Sequence, residues 1–342
     1  MKNIPQCACC CHIIPDIVMK QLKKEGYDLP TTPRVNDVED FRAERSAFMG
    51  SARSLIATPP SNGQILVYDS QNQARKKNLL VRKSGDKAVK DADTNTVFDN
   101  GNIVKDYFKT QLAWDSVDGE ALDLIFNVHY LIRYNNAFWD GEQMSFGDGD
   151  GINFTGFARA LDVTGHELSH GVVQYTSGLI YKNQSGALNE HFADVFGTAV
   201  KQFYLKQEAK TADWLIGDAC MMGKFKGKAI RSLKSPADTN IVIMAQPDHL
   251  DNIYKGTSDN GGVHINSGIP NRAFYLVSMD IGTQAAAKIW FEALKNLRPT
   301  AKFSNLFTAL KKEIPTIITD KVAAKAALDS VNKAFKAVGI LK

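Results

Sequence analysis

The segment at residues 162–170 reads DVTGHELSH and spaces two histidines and a glutamate as HExxH. On a helix, His166 and His170 lie one turn apart on the same face, so both imidazoles can bind a single metal ion. Glu167 follows the first histidine directly and points beside such an ion rather than at it. This position suits a carboxylate that accepts a proton from water activated by zinc. Taken alone, the same string could be a helix with two solvated histidines.

A zinc ion that catalyses hydrolysis needs a third protein ligand and an open fourth position. The segment at residues 189–194, NEHFAD, offers Glu190 as that ligand, because Glu190 and Asp194 also lie one turn apart on a predicted helix. Asp194 would then accept the second ring N–H of His166 and fix its tautomer. In isolation, Glu190 and Asp194 would more often form a solvated helix face. Together the two segments predict a zinc centre.

The elements that must position these side chains divide into a β-rich half and a helical half. Strand patterns with turn residues between them occur at residues 65–68, 79–81 and 122–132. A helix is predicted near residues 103–112, and after Phe157 the apolar spacing becomes helical, most clearly at residues 270–342. We predict an α+β fold with a β-rich lobe at residues 51–180 that includes the HExxH helix. A helical lobe at residues 181–342 completes it, with the site in the cleft between them.

Composition limits the classes of function. The chain has 342 residues, of which 44% are hydrophobic, enough for two lobes around a large core. Its net charge of +4 comes from scattered lysines and arginines, so no basic face for nucleic acid is indicated. No apolar run approaches the ~20 residues that span a bilayer. We expect a monomer without nucleic-acid partners or a membrane span.

The N-terminal segment differs from the rest of the chain. Its apolar residues are interrupted by Pro5, His12, Pro15 and Asp16, so a signal peptide is not indicated, and we expect either non-classical secretion or a cytoplasmic location. Helices are predicted at residues 15–25 and 38–48, and turn residues at 58–63 suggest a boundary near residues 50–60.

Four of the five cysteines, all but Cys220, crowd into this segment. Adjacent cysteines cannot readily bridge one another, which leaves reduced thiols, attachment of a metal or lipid, or a thiol directed at a metal. The four are Cys7, Cys9, Cys10 and Cys11.

The order and spacing of these motifs resemble the thermolysin family of zinc metallopeptidases over most of residues 60–342. Besides HExxH, the shared blocks are YNNAFWDG at 134–141, GDGDG at 147–151, SGALNE at 185–190, Arg231-Ser232 and DNGGVHINSG at 259–268. The resemblance implies a zinc-dependent neutral endopeptidase that hydrolyses internal peptide bonds, preferentially before bulky hydrophobic residues.

The same resemblance implies roles for further residues. Tyr181 and His264 would stabilise the oxyanion, Asp259 would orient His264, and Asn189 would support a zinc ligand from behind. Asn136, the Ala137 backbone and Arg231 would hold an extended substrate. An apolar pocket for the residue after the scissile bond would be lined by Phe154, Phe157, Val163, Ile216, Cys220 and Ile230.

Two regions depart from thermolysin itself. Asp162, Asp213 and Asp218 remain at the calcium cluster, but Lys201 and Leu215 stand where calcium-rich members have carboxylates. An ammonium group has the wrong charge and no oxygen, so a double calcium site is not expected. One calcium ion, or an ion pair of Lys201 in its place, would fit.

The other departure is the front of the chain. Residues 11–16, CHIIPD, resemble the short propeptides of the protealysin-like branch, although the second proline of the usual pair is Asp16. Residues 1–50 would then be a propeptide that covers the cleft and keeps the precursor latent. One of the four N-terminal cysteines could bind the zinc ion as thiolate.

Two alternatives are open at this point. One is a protein that keeps the fold for binding without catalysis, a class that usually lacks the base or a ligand. The other is a zinc enzyme that acts on another bond or only on chain ends, although the sequence shows no clamp for a free amine or carboxylate.

Overall fold

The computed structural model describes residues 11–30 and 61–342. The predicted helix at residues 38–48, the turn at 58–60 and Cys7, Cys9 and Cys10 lie outside these ranges.

A six-stranded mixed sheet forms the core of the first lobe. Its order is β1-β5-β6-β4-β2-β3, in which β2–β4 and β4–β6 are parallel and the other pairs antiparallel. Strand β2 alternates in burial, so that Ile65 and Val67 face the core. The strands are β1 (Cys11–His12), β2 (Ile65–Asp69), β3 (Leu79–Lys83), β4 (Leu124–Val128), β5 (Ala137–Trp139) and β6 (Met144–Phe146), and a separate antiparallel pair consists of β7 (Leu215–Ile216) and β8 (Arg231–Ser232).

Helices cover the sheet and build the second lobe. They are α1 (Asp16–Lys24), α2 (Ala92–Leu112), α3 (Leu161–Tyr175), α4 (Asn183–Tyr204), α5 (Ser258–Asn266), α6 (Gly268–Ile281), α7 (Thr283–Lys295), α8 (Phe303–Ile317) and α9 (Lys321–Ala337). Short 3-10 turns lie at Phe157–Arg159, Asp218–Cys220, Gly223–Phe225 and Leu250–Asn252. In the two described ranges, no helix has the length and apolar character needed to cross a bilayer. The predicted two-lobed α+β fold is confirmed.

Two elements differ from the sequence prediction. Helix α2 begins at Ala92 rather than near Ile103, although its first half is polar. The Asp91 side chain caps it by accepting the Thr94 N–H at 2.6 Å, and Phe98 is buried against the core. The cap and tertiary burial therefore override the weak helix propensity of this stretch.

The predicted strand at residues 122–132 ends at Val128. His129 and Leu131 take left-handed backbone angles, with φ of 53° and 59°, which break the strand. The apolar residues beyond this point instead join a small aromatic cluster, in which the Tyr130 and Phe138 ring centres lie 5.2 Å apart. This cluster supports the start of β5, which borders the cleft.

A pair of glycines lets helices α3 and α4 cross closely. A Cβ atom on Gly197 would lie 2.6 Å from the Asp162 carbonyl oxygen, and one on Gly165 would lie 3.0 Å from the Gly197 Cα. Larger residues would push the helices apart. The close crossing places the histidines of α3 opposite Glu190 and Asp194 of α4.

Candidate metal centre and active site

Three predicted metal ligands converge where α3 and α4 cross. His166 Nε2 and His170 Nε2 are 3.1 Å apart, and the Glu190 carboxylate oxygens lie 3.6 Å and 3.5 Å from them. All three side chains are buried. Tetrahedral zinc with ligands at about 2.0–2.2 Å separates its ligand atoms by roughly 3.3 Å. The cluster therefore has the size and donor set of a catalytic zinc site.

The outer nitrogens of both histidines are already engaged. His166 Nδ1 lies 2.8 Å from Asp194 Oδ1, and His170 Nδ1 lies 2.8 Å from Asn189 Oδ1. With Nδ1 donating, the two Nε2 lone pairs face each other, an arrangement that a cation between them stabilises. Glu190 Oε2 is buried and has no hydrogen-bond partner among the described residues. A buried carboxylate oxygen of this kind fits a metal ligand.

Glu167 lies beside this cluster on α3. Burial raises its pKa well above the usual value, and the negative charge of Glu190 adds to the effect. Neither of its carboxylate oxygens makes a hydrogen bond of normal geometry within the described part of the chain. The backbone N–H of Trp139 offsets part of this rise in pKa, and the carboxylate still has an oxygen available to a water molecule.

Tyr181 and His264 face the cluster from the second lobe. The Tyr181 hydroxyl donates to Glu190 Oε1 and lies 3.1 Å from His264 Nε2. Burial lowers the pKa of His264, but the charges of Glu190 and Asp259 outweigh burial and raise it. The imidazole can therefore donate a charge-assisted hydrogen bond from Nε2.

Asp259 holds His264 at two points. One carboxylate oxygen lies 2.6 Å from Nδ1, and the other accepts the His264 backbone N–H at 2.9 Å. The two glycines predicted a short turn before His264. The left-handed stretch is longer, because Asp259 and Asn260 have positive φ as well as Gly261 and Gly262. The left-handed turn brings the carboxylate of Asp259 back to its histidine.

Arg231 and Asp194 form a fully buried ion pair behind His166. The guanidinium donates Nε–H to Asp194 Oδ2 at 3.0 Å and Nη2–H to Oδ1 at 2.8 Å. Burial alone would raise the pKa of Asp194, but Arg231 and His166 lower it well below the usual range. Asp194 therefore stays an anion that accepts the His166 N–H.

The predicted substrate-binding edge contacts the chain's own N-terminal segment. Strand β1 pairs antiparallel with β5, and the Ile13 N–H donates to the Ala137 carbonyl at 3.1 Å. The Asn136 side chain hydrogen-bonds Ile14 twice, accepting its N–H at 3.0 Å and donating to its carbonyl at 2.8 Å. The segment is bound as an added strand.

Two side chains on the opposite side of the cleft, those of His264 and Arg231, contact the same segment. His264 Nε2 donates to the His12 carbonyl oxygen at 2.9 Å, and Arg231 Nη1 donates to the Ile13 carbonyl at 2.6 Å. The carbonyl of the His12–Ile13 peptide bond is thus bound by one predicted oxyanion donor, and the next carbonyl is bound by the arginine predicted to hold the substrate.

The residues predicted for the apolar pocket are all fully buried. Phe154 and Phe157 stack at 5.9 Å, and the Ile230 N–H donates to the Ile216 carbonyl at 2.9 Å, next to Arg231. Ile13 is also 0% exposed and belongs to the same main core. Burial raises the pKa of Cys220 well above its usual value, so it remains a neutral thiol. The six buried pocket residues are Phe154, Phe157, Val163, Ile216, Cys220 and Ile230.

At the predicted calcium cluster, a lysine ammonium occupies the centre. Lys201 Nζ lies 2.7 Å from Asp218, 3.1 Å from Asp162 and 3.3 Å from Asp213, and 3.4 Å from the Leu215 carbonyl. The contact with Asp218 has the length of a charge-assisted hydrogen bond, and the contacts with Asp162 and Asp213 lie within ion-pair distance.

Two further residues lie near the site. From the sequence, His191 had no predicted role and Cys11 had several possible ones. His191 follows Glu190 and is fully buried, and burial lowers its pKa to about 4. Its position beside a predicted ligand was the sole sequence signal. Cys11 is buried in a small cluster with Tyr181 and Val263, so it lies next to the predicted oxyanion donor.

Two family profiles match, described as the thermolysin metallopeptidase catalytic domain over residues 20–174 and its alpha-helical domain over residues 177–340. Protease PrtS of Photorhabdus sp. (strain Az29) is 41% identical over 285 residues, covering 80% of this chain and 76% of the relative.

Two further similarities cover more of the chain. An extracellular metalloprotease of Pectobacterium carotovorum subsp. carotovorum is 39% identical over 312 residues, 89% of each chain. Among solved structures, the precursor of protealysin, a metalloproteinase from Serratia proteamaculans, superposes with a TM-score of 0.81 at 33% identity. It covers 97% of this chain and 100% of its own.

Proposed function

Since the chain belongs to the thermolysin family of metallopeptidases, we propose that His166, His170 and Glu190 bind its catalytic zinc ion. The protein is a zinc-dependent neutral endopeptidase. One observation carries the residue assignment. The buried Nε2 atoms of His166 and His170 lie 3.1 Å apart, and one Glu190 carboxylate oxygen lies 3.6 Å from the first while the other lies 3.5 Å from the second. Both histidines are also hydrogen-bonded through their other ring nitrogen.

Each of the remaining site residues has its own role in peptide hydrolysis. Zinc, when bound, polarises the substrate carbonyl and lowers the pKa of a water molecule. Glu167 takes the proton of that water and delivers it to the leaving amine. Tyr181 and His264 donate to the carbonyl oxygen as negative charge develops there. Asp259 keeps His264 oriented for this task.

We propose that residues 1–50 are an inhibitory propeptide whose His12–Ile13 bond takes the place of a scissile bond. The contacts of Asn136, Ala137, Arg231 and His264 with this segment support the proposal. Ile13 then represents the residue after the scissile bond. Its full burial supports a preference for internal cleavage before bulky hydrophobic residues.

Replacing Ile13 by Asp is expected to weaken the hold of the propeptide on the cleft by roughly ten- to a hundredfold. Loss of a buried aliphatic side chain costs about 1.5–3 kcal/mol, and a carboxylate adds a desolvation penalty. Freshly purified Ile13→Asp precursor should therefore cleave a fluorogenic peptide without prior processing.

The exposed Lys20 on α1 offers a matched control. Lys20→Asp introduces the same side chain on the solvent face and should leave the precursor latent. Equal latency of Ile13→Asp and Lys20→Asp would contradict the register. Mass spectrometry of an unfolded substrate protein tests specificity in parallel, since an endopeptidase of this kind should cut internally before Leu, Ile and Phe.

We propose that Lys201 replaces a calcium ion. Its ammonium meets three carboxylates and a carbonyl, so millimolar Ca²⁺ should leave the Tm of the wild-type protein unchanged. Lys201→Met leaves the carboxylates unpaired, which is strongly destabilising, and calcium should restore part of the lost Tm. Lys210→Met at an exposed position is the control. A calcium-dependent rise in the wild-type Tm would refute the replacement.

A further inference from the structure

A row of buried hydrogen bonds extends from His166 into the helical lobe. Beyond Asp194, whose Oδ2 accepts Asn271 Nδ2–H at 2.8 Å, Asn271 Oδ1 lies 2.8 Å from His191 Nδ1. His191 Nε2 in turn lies 2.8 Å from Trp290 Nε1. All five side chains are 0% exposed. The row joins α3 and α4 to α6 and α7.

The indole at the far end fixes the direction of every bond in the row. An indole nitrogen can only donate, so His191 Nε2 must accept from Trp290 and its proton must reside on Nδ1. Nδ1–H then donates to Asn271 Oδ1, which turns the amide nitrogen of Asn271 toward Asp194. The Asn271 amide therefore has one permitted orientation, in which its N–H group and not its oxygen faces the Asp194 carboxylate.

Asp194 also receives two hydrogen bonds from Arg231, but that guanidinium serves the cleft as well. Its Nη1 donates to the Ile13 carbonyl, so its position depends on what occupies the cleft. Asn271 approaches from the side of the helical lobe, and among the described residues its side chain hydrogen-bonds only Asp194 and His191. The row therefore supplies support for Asp194 that does not change with the bound chain.

We infer that Trp290, His191 and Asn271 are positioning residues for the zinc site, which hold Asp194 as the acceptor of the His166 N–H. This inference rests on the proposed zinc assignment. With Asp194 fixed, the His166 proton stays on Nδ1 and the Nε2 lone pair stays directed at the metal. A partly satisfied buried network loses this direction, because its amide can turn its oxygen toward the carboxylate.

Zinc affinity tests the inference on the full-length chain. We use Glu167→Ala as the background, so that the protein cannot process itself, and measure the zinc Kd by competition with a chromophoric chelator. His191→Leu removes both the donor and the acceptor and should raise the zinc Kd about tenfold, since groups behind a zinc-bound histidine typically contribute 10–100-fold. His191→Gln can both accept and donate and should restore most of the affinity.

A packing control separates positioning from general destabilisation. The Phe274 ring lies 5.1 Å from Trp290 and takes no part in the hydrogen bonds, so Phe274→Leu should lower the Tm of the zinc-free protein and leave the zinc Kd unchanged. His191→Leu should shift the zinc Kd beyond any change that Phe274→Leu produces. Equal zinc Kd values for His191→Leu and the background protein would overturn the inference.

Trp290→Phe provides a second route if His191→Leu does not fold. It removes the indole N–H but keeps an aromatic ring, and should raise the zinc Kd by roughly threefold. An unchanged Kd in this variant would equally overturn the inference. If the background protein did not bind zinc at all, the proposed zinc site would be refuted. If it bound zinc normally and the variants had the same zinc Kd, only the present inference would be overturned.

Discussion

Replacing Glu167 by Gln is expected to lower kcat/KM on a fluorogenic peptide by roughly 10²–10⁴-fold, the usual contribution of a general base. The amide has nearly the shape of the carboxylate but cannot take a proton from water. Because Glu167 is not among the three clustered ligands, the variant should keep its zinc. Activity assays paired with zinc analysis by mass spectrometry give both quantities.

Processing provides a second readout of the same substitution. If the enzyme removes its own propeptide, the intact mass of Glu167→Gln should stay that of the full chain on standing, whereas the wild type loses about 50 residues. Glu142→Gln changes an exposed carboxylate elsewhere and should behave as the wild type. A Glu167→Gln protein with normal turnover would exclude this residue as the base.

The second large effect concerns the metal ligands. His170→Ala should abolish both tight zinc binding and peptidase activity, because two remaining ligands cannot hold a catalytic zinc ion. Loss of metal polarisation costs several kcal/mol, or roughly a thousandfold or more in rate. The measurement is zinc content per chain together with kcat/KM on the purified variant.

Chelation should reproduce this loss reversibly in the wild-type protein. Activity removed by a chelator should return with stoichiometric Zn²⁺ in the wild type and not in His170→Ala. His249→Ala, which removes a partly exposed histidine outside the cluster, controls for nonspecific zinc binding. Full activity in the presence of excess chelator with no bound zinc would be incompatible with the proposed site.

The clustering of His166, His170 and Glu190 follows in part from the sequence, because the spacing within each helix is local information. The spacing of His166 and His170 fixes their common helix face, and the same holds for Glu190 and Asp194. Their convergence depends on the glycine crossing of α3 and α4, which brings backbones 31 or more residues apart into contact and which no periodicity reveals. The resemblance supplied that step.

Other features depend on long-range pairing and were missed. Helix α2 starts early because an Asp91 cap and tertiary burial outweigh propensity. The bonds of His191 join α4 to α6 and α7, at residues 80 and 99 positions further along the chain. The pairing of Cys11 with Trp139 likewise spans most of a lobe. Local sequence patterns carry no information about partners that are far apart in the chain. Such contacts form only when the whole chain folds.

Anomalous diffraction at the zinc edge, on crystals of the purified full-length protein, tests the central assignment most directly. We predict one strong peak at about 2.0–2.2 Å from His166 Nε2, His170 Nε2 and a carboxylate oxygen of Glu190. A zinc peak at other residues, or a Glu190 carboxylate beyond coordination distance of the ion that the two histidines hold, would contradict the account.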